Sequence, residues 1–151
     1  MIFHRDTGRL FARLPPCGAT LDIVVAAAIG SFAEAAAALP TSSDETRQKA
    51  LALASLHGRT EIVRMLLDAG VDANRFAPVG GHSHATPLHQ AALSGHEEVV
   101  RLLVERGART DIRDIHPGGT PLDWAVYGHR TAIAEYLREV GSPQARNQAG
   151  P

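Results

Sequence analysis

The sequence predicts an all-α protein built as a solenoid of stacked helix-turn-helix units, and an internal repeat is the main reason. Residues 51–73 align with residues 88–110 at a constant offset of 37, and a second offset of 34 carries Leu88 to Leu122 and Gly107 to Gly141. In each copy the apolar residues recur at helical spacing, and a glycine ends the pattern. Because no copy can bury its apolar stripe alone, the three copies are expected to stack.

The first clear element of each copy is a short helix. In the central copy Thr86 is the predicted N-cap, and Pro87 occupies the first helical position, where its missing N–H has no partner to lose. Gly95 can adopt the left-handed conformation that closes this helix, and Gly107 ends the second one. Small alanines on the first helix and larger aliphatic residues on the second are expected to pack the units together.

The N-terminal part of the chain carries a weaker copy. Gly30 follows Ala26 and Ala27 as Gly95 follows its own alanine pair, but the step from Gly30 to Gly58 is only 28. We interpret this segment as a degenerate repeat that forms the N-terminal cap of the solenoid. The predicted organisation is an N-terminal extension over residues 1–20, a repeat domain over residues 21–141 and a flexible tail over residues 142–151.

These repeats resemble a known family. Residues 86–91, TPLHQA, match the ankyrin-repeat signature, and residues 120–122 repeat its first three residues, with Asp123 in place of the histidine. The chain is similar to ankyrin-repeat proteins over residues 47–141. The resemblance implies a protein interaction module with a concave face, formed by the first helices and by the hairpin loops, or fingers, between units. It also implies that His89 bonds to the Thr86 hydroxyl and to neighbouring backbone.

Three departures from the family pattern carry structural expectations. The offsets of 37 and 34 exceed the family's 33, which predicts enlarged fingers. Lys49 and Ala50 stand where threonine and proline are usual, so the first helix of that unit is expected to lack its cap. In the last unit His129 occupies the turn position of the glycine, and histidine tolerates positive φ better than most residues.

Composition narrows the functional classes. With 15 basic and 16 acidic residues the net charge is -1, so no overall electrostatic field attracts the protein to nucleic acid or to an anionic membrane. One cysteine, Cys17, fits a reducing, cytoplasmic compartment, and a strong excess of arginine over lysine suggests a GC-rich bacterial genome. Arginines before the apolar run at residues 23–29 faintly resemble a secretory signal, but acidic residues and prolines interrupt it. No apolar run is long enough for a membrane span.

The resemblance places a candidate partner site on the concave face. It would mix the arginine, aromatic and apolar residues that anchor protein interfaces. Phe76 and Ile115 have an alternative role in pinning their loops, Trp124 is expected mainly to pack, and the charged residues of the helix at 97–106 are expected to face solvent. The candidate partner-binding residues are Arg75, Phe76, His82, His84, Leu93, Ser94, Arg113, Ile115, His116 and Tyr127.

The finger histidines open an alternative, a small metal-binding or enzymatic helical domain. His82 and His84 lie on one finger and His116 on the next, but no carboxylate or cysteine accompanies them at a recognisable zinc spacing. No nucleophile elbow or phosphate-binding loop is present in the sequence. We therefore predict no metal, no cofactor and no enzymatic activity. The expected partner is an unidentified protein, bound by a monomer or by a weak dimer formed through the apolar N-terminal helices.

Overall fold

A computed structural model describes residues 21–76, 84–115 and 118–141. The predicted N-terminal extension with Cys17, the C-terminal tail, and the candidate residues His82 and His116 lie outside these ranges. The described residues form α-helices, one short 3₁₀ helix and no strand. The helices are α1 Ile23–Ile29, α2 Phe32–Ala38, α3 Asp44–Leu56, α4 Thr60–Asp68, α5 Pro87–Ser94, α6 Glu97–Glu105, α7 Pro121–Tyr127 and α8 Thr131–Val140, and the 3₁₀ helix is Leu39–Thr41.

The helices form four antiparallel pairs that stack in two layers. The first helices α1, α3, α5 and α7 pack in sequence against one another, and the second helices α2, α4, α6 and α8 form the other layer. This arrangement confirms the predicted all-α solenoid, including the degenerate first pair as part of the stack.

Small side chains allow the first helices to approach closely. Ala26, Ala54, Ala91 and Ala125 occupy equivalent positions in the four units, and all four are fully buried. Larger residues of the second helices, such as Leu103, fill the space between units. Since buried apolar area is the main stabilising term in folding, this division of small and large residues holds the stack together.

The expected missing cap in the second unit is wrong. Helix α3 begins at Asp44, so Lys49 and Ala50 lie inside it rather than at its start. Ser43 is its N-cap, and the Ser43 hydroxyl accepts a hydrogen bond from the Thr46 N–H at 3.2 Å. The threonine and proline of the family pattern are unnecessary here, because the helix extends to a different cap about one and a half turns earlier.

The turns between paired helices follow the expected glycine pattern. Gly58 and Gly95 have φ values of 71° and 85°, in the left-handed region that favours glycine. In the last unit His129 has φ 58° and takes the turn position, whereas Gly128 before it has φ -81°. The predicted shift of the glycine in that unit is therefore confirmed.

Residues that follow the turns join each unit to the one before it. Arg59 donates to the Ala28 carbonyl at 3.1 Å, His96 Nε2 donates to the Leu56 carbonyl at 3.0 Å, and Arg130 donates to the Leu93 carbonyl at 3.1 Å. Each acceptor lies two residues before the turn glycine of the preceding unit. We call Arg59, His96 and Arg130 the post-turn donors.

The post-turn donors explain a second requirement for glycine. A Cβ on Gly58 would lie 2.5 Å from His96 Nδ1, and one on Gly95 would lie 2.7 Å from Arg130 Nε. These turns therefore need glycine both for their backbone conformation and for the close approach of the next unit.

Candidate functional site

The start of α5 is organised by His89, which is fully buried. His89 Nδ1 accepts from the Thr86 N–H at 3.2 Å and lies 2.8 Å from the Thr86 hydroxyl. Its Nε2 lies 3.0 Å from the Gly119 carbonyl, which can only accept, so Nε2 carries the proton. His89 thus caps its own helix and ties it to the loop before α7, as the family resemblance implied for the histidine of this motif.

The last unit makes the same cap with a carboxylate. Asp123 Oδ2 accepts from the Thr120 N–H at 2.9 Å and from the Thr120 hydroxyl at 3.0 Å. The Asp123 N–H in turn donates to the Thr120 hydroxyl at 3.3 Å. Aspartate therefore reproduces the local role of the histidine and adds a negative charge at an exposed position.

Acidification is expected to destabilise the stack through His89. Burial lowers the pKa of His89 below its ordinary value of 6.5, because it disfavours the charged imidazolium, although the Gly119 carbonyl acts in the opposite direction. The unfolded chain therefore takes up this proton at higher pH than the folded protein. The stabilisation is present above pH 6.5 and is lost as the pH falls from 6.5 through the lowered pKa.

Thermal unfolding at pH 7.5 and 5.5, above and below the ordinary histidine pKa of 6.5, tests this prediction. We expect a lower midpoint at the acidic pH and a smaller decrease for His89→Gln, which has no titratable group. An equal decrease in the variant and the wild type would assign the effect to other groups.

A buried carboxylate that the sequence did not reveal fixes the second finger, which is the loop between α6 and α7. Asp114 is 5% exposed, accepts the Gly118 N–H at 2.6 Å and accepts the Trp124 Nε1–H through Oδ2. Burial alone would raise the pKa of Asp114, but the hydrogen bonds from Gly118, Trp124 and Gly119 lower it. Asp114 therefore stays ionised beside the indole at neutral pH. Its spacing of four from Gly118 is the only sequence signal, and many surface aspartates share such a spacing.

Trp124 joins the two fingers to the helices. Its ring makes an edge contact with His89, at 5.1 Å between centroids, and a tilted contact with His84 at 5.7 Å. The Ile115 N–H donates to the His84 carbonyl at 2.9 Å, so neighbouring fingers are also joined through backbone. The expectation that Trp124 packs is met, because a bulky indole here covers the buried cap of the preceding unit.

Asn74 supplies a further bridge between units. Its side chain donates to the Gly107 carbonyl at 3.2 Å and accepts from the Arg109 N–H at 2.7 Å. The Asn74 N–H donates to Asp72 Oδ1 at 2.8 Å, which holds the turn in which it lies. The turn that follows α4 therefore also carries side-chain hydrogen bonds to the next unit.

A shallow groove lies between α5, α7 and the loop that precedes α7. Its volume is about 490 Å³, and its lining is predominantly apolar. Leu93 and Tyr127, which occupy equivalent positions of α5 and α7, lie in this groove with Trp124. Tyr127 is 81% exposed, so its ring is available to another molecule. The groove is lined by Leu93, Gly119, Asp123, Trp124 and Tyr127.

The groove collects only part of the candidate partner-binding set. Leu93 and Tyr127 line it, while His84 reaches it indirectly through its contact with Trp124. Arg113 and Ile115 are exposed on the second finger, where Arg113 donates to the Gly118 carbonyl at 2.8 Å. The remaining described candidates lie elsewhere: Arg75 is exposed, Phe76 is half-buried on the first finger, and Ser94 is half-buried at the end of α5.

The finger histidines give no metal site within the described ranges. His84 is the only one of the three that the structure describes, and no group of three histidine, cysteine, aspartate or glutamate side chains in those ranges is arranged to hold an ion. The same ranges contain no helix with the length and apolar character to cross a bilayer.

Two family models match the chain. Both describe ankyrin repeats, one in three copies over residues 79–147 and one in many copies over residues 50–104. The chain is 32% identical to neurogenic locus notch homolog protein 1 of Homo sapiens over 115 residues, which cover 76% of this chain and 4% of that protein. It is 33% identical to tyrosine-protein kinase Shark of Drosophila melanogaster over 110 residues, which cover 72% of this chain and 11% of the kinase. The match thus spans only a small part of each relative.

Proposed function

We infer that this chain, which belongs to the ankyrin-repeat family, binds a partner protein through the fingers and first helices of its stack. Ankyrin repeats are a general protein interaction module. The face that makes the contact and a cytoplasmic location are parts of the proposal.

The observation that carries the proposal is the exposure of large side chains on the fingers and the first helices. Tyr127 is 81% exposed and Ile115 is 53% exposed, although the side chains of both residue types are usually at least partly buried in folded proteins. Exposed aromatic and aliphatic side chains near an arginine are typical of the centre of a protein interface. Arg113 provides that guanidinium on the same finger as Ile115.

The outer face differs in character at α6 and α8. Arg101 pairs with Glu97 at 2.9 Å, and its guanidinium lies 4.3 Å from the centre of the Tyr136 ring in the next unit. These groups are engaged within the stack, and the charged residues around them face solvent as expected. Glu135 and Arg138 of α8 are exposed and serve as a matched pair for control substitutions.

Substitutions on the proposed binding face should weaken capture of a partner. We expect Arg113→Ala combined with Tyr127→Ala to weaken binding by about 2 kcal/mol or more, roughly thirtyfold in Kd. Helicity and the thermal midpoint should remain nearly unchanged, because both side chains are exposed. The measurement is affinity capture from the source cell followed by titration of the purified partner.

The control is Glu135→Ala combined with Arg138→Ala on α8. This variant should bind the same partner with wild-type affinity, because both side chains lie outside the proposed site. Exposed surface charges also contribute little to stability, so the fold should be unaffected. Suppose that the variant with Arg113→Ala and Tyr127→Ala retains the partner and the α8 variant loses it. The binding site would then lie on the outer face.

A further inference from the structure

The groove between α5 and α7 has a distinct chemical character. Leu93, Trp124 and Tyr127 provide an apolar and aromatic lining, and Asp123 is the only charged residue among the described ones that line it. Asp123 uses Oδ2 to cap its helix, yet its side chain remains exposed. The groove therefore combines aromatic surface with one accessible carboxylate.

A second carboxylate reinforces the negative character from behind the indole. Asp114 accepts the Trp124 Nε1–H, and Asp114 is almost fully buried. This bond occupies the polar Nε1–H of the indole. Trp124 therefore contributes ring carbons to the lining of the groove. A cation is attracted both to the face of an indole and to nearby carboxylates, and Trp is the best of the aromatic side chains in this role.

The arginines nearest in sequence to residues 119–127 of the groove do not occupy it. Arg113 donates to the Gly118 carbonyl and Arg130 donates to the Leu93 carbonyl, and neither is among the residues that line it. The one arginine found over an aromatic ring in the described ranges, Arg101, lies on Tyr136 of the other layer. Within the part of the chain that the structure describes, no arginine supplies a cation to this lining, so the groove has room for one from another molecule.

We propose that the groove receives a basic side chain, arginine or lysine, from an exposed segment of the partner protein. The aliphatic stem packs on Leu93 and Tyr127, and the charged head lies against Trp124 beside Asp123. A long basic side chain suits the site because its stem is apolar while its head is charged. This inference rests on the proposed function and specifies the partner chemistry at one part of the proposed site.

The single tryptophan makes the test direct. The chain has one tryptophan, so its fluorescence and its one indole N–H resonance both report on Trp124. The probes are blocked pentapeptides with a central arginine, lysine, norleucine or glutamate between glycine and serine residues. The arginine and lysine peptides should shift the indole resonance in a saturable manner, with Kd about fivefold or more below that of the norleucine peptide. The glutamate peptide should give no shift.

Two charge variants separate the carboxylate from the fold. Asp123→Asn and Asp123→His both retain an acceptor for the Thr120 N–H, the second by reproducing the Thr86–His89 pair, and both remove the negative charge. Each should weaken binding of the basic peptides about fivefold. Glu135→Gln on α8 should leave it unchanged.

Equal affinity for the norleucine and basic peptides would overturn the basic side chain in favour of an apolar one. Unchanged binding in both Asp123 variants would overturn the contact between the charged head and Asp123. Absence of any peptide-induced shift would also overturn the basic side chain. If the variant with Arg113→Ala and Tyr127→Ala still captures less partner in that case, the proposed function stands. Only the proposed chemistry of the groove is then wrong.

Discussion

We expect Gly58→Ala to lower the free energy of unfolding by about 3 kcal/mol, in which positive-φ strain, loss of one hydrogen bond and displacement of a packed ring each contribute about 1 kcal/mol. The new Cβ would lie 2.5 Å from His96 Nδ1, and the His96 ring has to move from its bond to the Leu56 carbonyl. Urea unfolding followed by circular dichroism measures this loss.

Gly70→Ala is the matched control. Gly70 has φ 88°, but a Cβ there would meet no atom within 4 Å, so only the conformational strain of about 1 kcal/mol is expected. The double variant Gly58→Ala with His96→Ala should be less destabilised than the sum of its single variants, because the clash is removed. Additive losses, or equal losses for Gly58→Ala and Gly70→Ala, would mean that the close approach of His96 contributes nothing.

His89→Ala should lower the free energy of unfolding by about 3 kcal/mol, because it empties a fully buried site and leaves buried polar groups without partners. The Thr86 N–H and the Gly119 carbonyl both lose a bond, and Trp124 loses the ring against which its edge packs. His89→Asn keeps an acceptor for the Thr86 N–H but cannot replace the bond to Gly119 with the same geometry.

The asparagine variant therefore should lose less stability than the alanine variant. Chelator and added zinc should not change the midpoint of either variant or of the wild type, since His89 is already engaged on both nitrogens. A chelator that lowers the wild-type midpoint would instead show that metal contributes to folding.

The repeat pattern predicted the fold because its signals are local. Thr86, Pro87 and Gly95 act on their own helix, so their spacing predicts where α5 begins and ends. The same reasoning failed at α3, where Ser43 caps the helix outside the family position. A cap is a single hydrogen bond, and the chain had an acceptable one about one and a half turns before the aligned site.

The candidate site was less accessible to sequence reasoning. Leu93 and Tyr127 follow from the repeat register, since their positions face the same side of two stacked helices. The bond of Asp114 to Trp124 depends on the path of a finger between helices, which no repeat position defines. The post-turn donors do have a signal, because each follows a turn position, but arginine and histidine there look like ordinary surface residues until the preceding unit is placed beside them.

The turn of the last unit has a consequence for engineering by module exchange. Interior units are compatible with one another because each offers a glycine to the post-turn donor that follows, and arginine and histidine both serve as that donor. The last unit offers His129 instead, and it has Val126 at the position where the earlier units have the small residues Ala27, Ser55 and Ala92. Val126 is 49% exposed, whereas Ala92 is fully buried under the next helix pair. Shuffling of this chain is therefore directional: transplanting the last unit into an interior position requires His129→Gly and Val126→Ala before another unit can dock on it.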